Sequence, residues 1–582
     1  MTMNNSITKL ITSAAFSVTA AFAAEITVSE NITTDTTWSA DNTYVLDGQI
    51  FVTEGAELTI EAGTTIYGEE TEPASALIIT VGSTIDAQGT ADAPIVFTSI
   101  LAQEGDLTAD DAALWGGLII LGDASINSRA DSETTFTDPI TDQIEGFEGA
   151  GIEELITFGG SDDDDNSGTL RYVSIRHGGS VVGADNEING LTLGGVGSET
   201  TIEFIEVFAN KDDAIEFFGG TVDVKYFVNA FGYDDGVDYD QGWRGKMQFV
   251  FHIQREATED AGDKAGEHDG ATSPKFEATP LGEGVLANVT AIGWGENTAL
   301  NIRDNAGSEY YNSIFTNFDK LFLIESDISE DLSLDRLNFV NGIWWSSVSD
   351  NNTVAGIQDL TGDNVDITSV ITAGNNEVTN PLLNSISIAG DGTLDPRPSA
   401  DSPAIYGAAA VPDGDFFVQT GYRGAFDPNA ELWIAGWTAL DEYGFLADTS
   451  GAETSSITAV SSRLTVNPGA EVNVGFILTA TTDMYLAAKS ISDEGVDTLE
   501  DPTMTLFRFN GTEFVSVAVV DDFDSSTTFP SAVAPVLSTD TAAILTLDAG
   551  SYAVVVSGET DTDSGEVLVE AYDLGYANSV SE

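Results

Sequence analysis

Short runs of Val, Ile, Leu, Phe and Thr recur along most of the chain, each closed within a few residues by Gly, Asn or Asp. Glu57–Ile60, Ala76–Val81 and Pro94–Phe97 are examples, with Gly63, Gly82 and Gly89 as punctuation. Apolar spacing at i, i+3, i+4 is almost nowhere sustained. Alternation with turn residues at both ends predicts many short strands and very little helix.

The strands repeat. Asp212-Asp213-Ala214-Ile215-Glu216-Phe217 matches Asp234-Asp235-Gly236-Val237-Asp238-Tyr239 in chemical type at every position, at an offset of 22 residues. The preceding strands, Ile202–Ile205 and Val224–Phe227, keep the same offset. Asn297–Ile302 is a weaker third copy, and Asn288–Ile292 and Asn312–Thr316 repeat 24 residues apart. A period of roughly 20–25 residues made of strands is one turn of a solenoid, since a propeller blade needs about 40 and a leucine-rich repeat needs its Leu/Asn consensus. The expectation is a right-handed parallel β-helix in which each turn stacks about 4.8 Å above the last. Asn at equivalent turns is expected to stack as hydrogen-bonded ladders.

The solenoid is expected over residues 24–446, interrupted by long insertions at Ala102–Ala113, Asp131–Asp165 and Glu256–Pro280, where function usually sits. The aromatic stretch Tyr422–Phe426, Trp433 and Gly436-Trp437 reads as an end cap over the last rung. Residues 447–456 read as a linker. Beyond it, over 457–582, alternation becomes antiparallel-like: Met504–Phe509 runs into Asn510-Gly511, a hairpin signal, and Ala543–Leu547 and Tyr552–Val556 flank Asp548–Gly550 as a second hairpin. This part is expected to be a β-sandwich or jelly roll.

Charge changes the picture of the surface. The 582 residues carry 96 Asp and Glu against 19 Lys and Arg, a net charge of −77. Such a field repels nucleic acid and anionic membranes and attracts cations. Hydrophobic content of 42% still supports packed cores, so disorder is not implied. There is no cysteine, which excludes disulfides, thiol catalysis and Cys-ligated zinc. At the N-terminus, Lys9, an apolar Leu10–Ala20 stretch and Ala21-Phe22-Ala23 match a secretory signal, predicting residues 1–23 as a leader and a secreted mature chain from Ala24. No other segment is long and apolar enough to span a bilayer.

Several motifs together carry a resemblance. They are Leu114–Gly122, Arg171–Gly179, Asn189–Gly195, Asn210–Asp213, Gly242–Lys246 and Glu267–Gly270. They resemble a family of secreted bacterial right-handed β-helix proteins with pectate-lyase-like architecture. That resemblance implies the fold and no particular activity. The C-terminal part, through Pro502–Phe507, Asp521–Asp524 and Ala549–Tyr552, is similar to pre-peptidase-type accessory β-sandwiches, which implies a non-catalytic helper.

The sharpest chemical signal is the repeated acid. Stacked copies place Asp212 over Asp234, Asp213 over Asp235 and Glu216 over Asp238, with Asp240 on the same face. Carboxylates one strand spacing apart repel unless a cation intervenes or one is protonated, and Ca²⁺ takes six to eight such oxygens at roughly 2.3–2.6 Å. The set resembles, in residue type, the Ca²⁺ sites of pectate-lyase-like β-helices. A solvated acidic turn is the plainer alternative, and it is the favoured reading of the Asp162–Asp165 run.

Basic residues are few. Arg244 and Lys246 follow the acidic ladder and, with His268, are the candidate catalytic groups for β-elimination of a uronate, which needs a base and a cation to neutralise the carboxylate. Trp243, Arg176, His177 and Arg303 are candidate substrate-binding residues. Trp115, Trp294 and Trp344-Trp345 are further stacking candidates, although burial is the common fate of Trp. Ion pairing into the acidic surface is the alternative for the cations. Lys264 lies beside His268 in a predicted insertion. Three functions stay open: a Ca²⁺-stabilised binding or structural protein directed at polysaccharide, a polysaccharide lyase or glycoside hydrolase, and a self-associating surface-assembly subunit.

Overall fold

The computed structural model describes residues 24–573, apart from 106, 129–139, 148–150, 181–187, 256–261, 272–277, 296, 326–333, 347–351, 363, 413, 450–458, 468–469, 471, 479–481, 491–498, 500–501, 510–513, 522–540, 548–549, 559 and 561–562. The predicted leader and most of the predicted linker therefore lie outside the described residues. The chain divides into two compact units, one built from residues before 449 and one from those after, with 429–431 assigned to the second.

The first unit is a parallel β-helix. Its strands alternate inward aliphatic and outward polar residues, as in Glu57–Ile60, where Leu58 and Ile60 are buried. Period-two alternation with one buried face fixes the register, because a slip of one residue would expose every aliphatic. A nine-stranded sheet runs, in spatial order, through Gln49–Val52, Ala76–Ile79, Leu118–Leu121, Leu191–Gly194, Ile215–Phe218, Val237–Asp240, Gly266–Asp269, Thr298–Arg303 and Lys320–Ile324. Pairing is parallel throughout, and Glu216 lies opposite Asp238, as the 22-residue repeat predicts.

The other two faces belong to a 16-stranded sheet whose long strands bend once. The first half of Gly168–Arg176 pairs with Thr84–Gln88 and the second half with Ile95–Ser99. Tyr172 stands at the bend with φ 47°, and Phe204, Tyr226 and Phe249 repeat it at 57°, 62° and 60°. Left-handed backbone is costly for bulky side chains. Here the rings stack along the corner at 4.3, 4.2 and 4.8 Å between centroids, which offsets that cost.

Further along, Asn288, Asn312 and Asn341 take over the corner at φ 54°, 52° and 52°, a conformation Asn tolerates. One step of the expected Asn ladder forms, with Asn375 donating to Asn341 Oδ1 (3.2 Å), but Asn288, Asn312 and Asn341 do not stack on one another. Their amides donate sideways, to the carbonyls of Gly424 (3.1 Å), Ala409 (2.8 Å) and Gly407 (2.5 Å), pinning the returning chain to the corner.

Two other expectations need correction. The aromatic stretch near Trp433 and Trp437 does not cover the last rung. These rings meet Tyr172, Phe204 and Tyr226 edge-on, so the stretch lies along the side of the middle rungs, where their stacked rings offer a broad apolar strip. The far end is closed by the short helix Thr368–Ala373, whose Ile371 joins the interior together with Ile357 and Ile367. The segment Glu256–Pro280 is not simply an insertion, because its Gly266–Asp269 is a full rung strand. Within Asp131–Asp165, the described part forms a small hairpin, Asp142–Gln143 with Thr157–Phe158.

The second unit holds two four-stranded antiparallel sheets, as expected of a sandwich, with Met484, Leu486, Met504, Leu506, Val554 and Val567 in one buried cluster. Pro502–Phe509 and Phe514–Asp521 pair as predicted, their turn lying outside the described residues. Thr541–Leu547 and Gly550–Gly558, expected as a hairpin, fall in different sheets. Too few residues separate them to distinguish a hairpin from a step between layers by length alone.

Candidate cation site on the acidic face

The outer face of the nine-stranded sheet changes character along its length. One outward column reads Ile78, Ile119, Thr192, Glu216, Asp238, Glu267, Asn301, Leu323. Its apolar beginning is covered: Ile144, Phe147, Ile156 and Phe158 pack onto Ile78, Ile119 and Leu121. The acidic middle is left to other partners.

Beside this column runs a staircase. The Asp235 amide donates to Asp213 Oδ1 (2.9 Å), and the Lys264 amide donates to Asp235 Oδ1 (2.7 Å). Each aspartate thus satisfies the backbone of the next rung, which is one reason the repeat places Asp there. The second Asp235 oxygen meets Lys264 Nζ (3.4 Å). Asp213, Asp235 and Asp238 bring one carboxylate oxygen each within 4.8 Å of one another, and so do Asp212, Asp213 and Asp234, and Asp234, Asp235 and Asp263.

Burial and mutual repulsion push the Asp213, Glu216 and Asp238 carboxyls well above the usual range. Burial does the same to Asp235 despite its ammonium neighbour. Asp240 is pushed up to about 7 by burial and by Asp269. Two cations serve the later rungs. Lys264 Nζ meets Asp263 (2.5 Å), Glu267 (3.1 Å) and Asp235 (3.4 Å), and Arg303 meets Glu267 (2.8 Å) and Asp269 (2.6 Å). Glu267 is buried enough to be raised, yet these two cations hold it below the ordinary value.

The residues present fit a hard divalent cation. Asp238 Oδ1, Asn189 Oδ1 and Asn301 Oδ1 are buried without a hydrogen-bond partner. The Asn189 amide donates to Glu216 and the Asn301 amide to Glu267, so these orphaned oxygens border the carboxylates. Unpaired buried oxygens beside close carboxylates suit Ca²⁺, whose ligands are oxygens from carboxylates and amide carbonyls.

A family model for a pectate-lyase-like β-helix domain matches residues 30–381. The chain belongs to this pectate-lyase-like β-helix family. Among solved structures, a capsular polysaccharide depolymerase tailspike from Acinetobacter baumannii bacteriophage Fri1 is 10% identical, with 90% of this chain and 80% of that one covered at TM-score 0.16. The enzymatically active domain of bacteriophage CBA120 tailspike protein 4 is also 10% identical, with 94% and 64% covered at 0.16. A Yersinia pseudotuberculosis-derived mitogen is 13% identical over 20% of this chain and 85% of that one, at 0.14. At such scores none of these bears on what this chain does. No curated protein matches it.

The pectate-lyase-like solenoid separates the residues singled out from sequence. Asp212, Asp213, Glu216, Asp234, Asp235, Asp238 and Asp240 share the acidic face, and Arg303 joins them. Arg244 instead pairs with Asp163 (2.5 Å) and reaches Ser125 (2.8 Å), and Lys246 pairs with Asp223 (3.1 Å). Both are held by carboxylates outside the ladder. His268 and Trp243 are wholly buried and face the interior, a correction to their surface roles. His268 stacks on Tyr239 (4.2 Å) with its ring nitrogens on Ser308 (2.9 Å) and Tyr310 (3.2 Å), and burial lowers it to about 3. Trp243 stacks on Phe217 at 4.2 Å. Trp115 and Trp344 are also buried, whereas Trp294 is 37% exposed. Arg176 ends a strand of the 16-stranded sheet, and buried His177 follows it. Sequence reasoning missed Asn189, Asp263, Glu267, Asp269 and Asn301 as members of the face.

Proposed function

We propose that this chain is a secreted, polysaccharide-binding β-helix protein whose solenoid is stiffened by Ca²⁺ held in the acidic ladder. The observation that carries the cation part of the reading is the Asp213, Asp235 and Asp238 group beside the orphaned Asp238 Oδ1. Without a cation, those buried carboxylates destabilise the very rungs they join. The signal-like N-terminus and the acidic surface support an extracellular setting. No described helix is long and apolar enough to cross a membrane.

One observation favours a second reading, a Ca²⁺-dependent lyase. Lys264 and Arg303 adjoin the ladder, as an elimination base must. Both are committed to two or more carboxylates, however, which keeps them protonated and suits counter-charges better than bases.

The test incubates the mature chain from Ala24 with acidic and neutral polysaccharides in Ca²⁺. Pull-down, new reducing ends and unsaturated-uronate absorbance are recorded together. Retention on a polysaccharide without new ends supports the binding reading. Absorbance with new ends replaces it by the lyase, with Lys264 and Arg303 the first residues to change. Neither retention nor turnover across the panel removes the polysaccharide role.

A further inference from the structure

The 16-stranded sheet carries a second feature, away from the acidic ladder. A cleft of about 340 Å³ opens on its outer side, lined by Thr65, Tyr67, Thr98, Arg176, Glu442 and Tyr443. Tyr67 pairs in register with Thr98, and Arg176 follows Ile175, which faces Phe97, so Tyr67, Thr98 and Arg176 stand on three consecutive strands. Two strand spacings span roughly 10 Å. The volume sits at the lower end of ligand clefts, roughly 300–1,000 Å³.

The lining mixes polar and aromatic groups with aliphatic Val96, Ala102 and Leu107, and part of it is unsatisfied. Thr98 is 5% exposed, and its Oγ1 has no hydrogen-bond partner. A buried hydroxyl without a partner costs free energy unless a ligand or water meets it. Arg176, also 5% exposed, spends one N–H on Ser174 (2.7 Å), one on Glu442 (2.5 Å) and one on the Tyr443 hydroxyl. A guanidinium has five N–H donors, so donors remain. Glu442 is 61% exposed and offers acceptor oxygens at the rim. His177 explains its own position here: Nδ1 meets the Asp111 carbonyl (2.6 Å) and Nε2 the Tyr443 hydroxyl (3.3 Å), which orients Tyr443 at the cleft.

We propose that this cleft binds one neutral pyranose unit of a glycan through a pair of adjacent hydroxyls. One hydroxyl donates to Glu442 and its neighbour accepts from Arg176. Thr98 bonds a third ring substituent, and the Tyr67 and Tyr443 rings cover the apolar faces of the sugar. A neutral unit fits better than a uronate, because buried Glu206 and rim Glu442 already balance Arg176. The net charge of −77 further disfavours an anion without a bridging cation. The inference rests on the polysaccharide-binding reading for its ligand class, but not on the Ca²⁺ ladder.

The experiment titrates the full mature chain with methyl pyranosides of glucose, galactose, mannose and fucose, and with methyl galacturonoside, in chelator. Saturation-transfer NMR and calorimetry read binding. Polysaccharide pull-down in Ca²⁺ runs beside them, and each variant's melting curve is required to match the parent's. At least one neutral pyranoside is expected to bind with chelator present. Thr98→Val weakens it about fivefold and Glu442→Ala by roughly tenfold or more. Tyr67→Ala weakens it too. Binding that survives all three cleft variants overturns the proposal, as does binding of the uronoside alone. Retention of polysaccharide with no pyranoside bound overturns the cleft and leaves the broader reading standing. Silence in both assays removes both.

Discussion

Single residues on the acidic face are poised between proton and cation. A carboxyl whose folded value is raised favours the protonated fold, so its contribution to stability is lost as pH rises through that value. Asp240, raised from 3.8 to about 7, loses its contribution as pH rises between those values, and Asp213, Glu216, Asp235 and Asp238 act in the same direction. Buried neutral histidines act oppositely. His252 and His268, lowered to about 3, withdraw stability as pH falls below their ordinary 6.5. The difference between Ca²⁺ and chelator cancels the histidines, because they contribute to both. The melting-temperature gain from Ca²⁺ is therefore expected to grow between pH 6 and pH 8, as protons cease to compete for the carboxylates. A gain that is flat or shrinks over that range would refute proton–cation competition. Interior residues obey different chemistry. Trp243, expected from sequence to bind substrate, instead has its ring between Phe217 and Tyr239: Trp243→Ala should cost about 3–5 kcal/mol in denaturant unfolding without changing polysaccharide retention.

Elements show what could be read along the chain and what could not. The rungs Ile215–Phe218 and Val237–Asp240 were legible because their offset, their acids and their aliphatics repeat together, and that repeat placed Asp212–Asp238 on one face. The next rung was not. Gly266 lies opposite Val237 and His268 opposite Tyr239, so small and imidazole side chains replace the expected hydrophobes. The intervening chain is also longer than in the previous turn, which hides the period. The closing helix Thr368–Ala373 is too short to show helical periodicity. The flank misled for a physical reason: aromatic, non-repeating chain suits any apolar strip, and the stacked corner rings provide one mid-solenoid. Two tests belong here. Ile371→Ala should lower stability by about 2–4 kcal/mol, since it opens the closed end of the core. Lys264→Met should lower the melting temperature in chelator and enlarge the gain from Ca²⁺, because it leaves Asp235, Asp263 and Glu267 without their shared ammonium. A smaller Ca²⁺ gain would mean that Lys264 helps to build the site instead of competing with the cation.

For the whole molecule, charge dominates. At −77 the folded chain repels itself, and monovalent salt is expected to raise its melting temperature modestly until screening saturates over a Debye length of about 8–10 Å. Specific Ca²⁺ stabilisation must exceed this general effect. The decisive measurement is therefore calorimetric Ca²⁺ titration of the mature chain and of Asp213→Asn with Asp235→Asn, at fixed high ionic strength, with melting curves in Ca²⁺ and in chelator. Saturable binding in the parent, lost in the double variant together with the Ca²⁺-dependent rise in melting temperature, is the predicted result. Equal Ca²⁺ binding and equal melting shifts in both proteins would show that the ladder is not the cation site and would contradict the account.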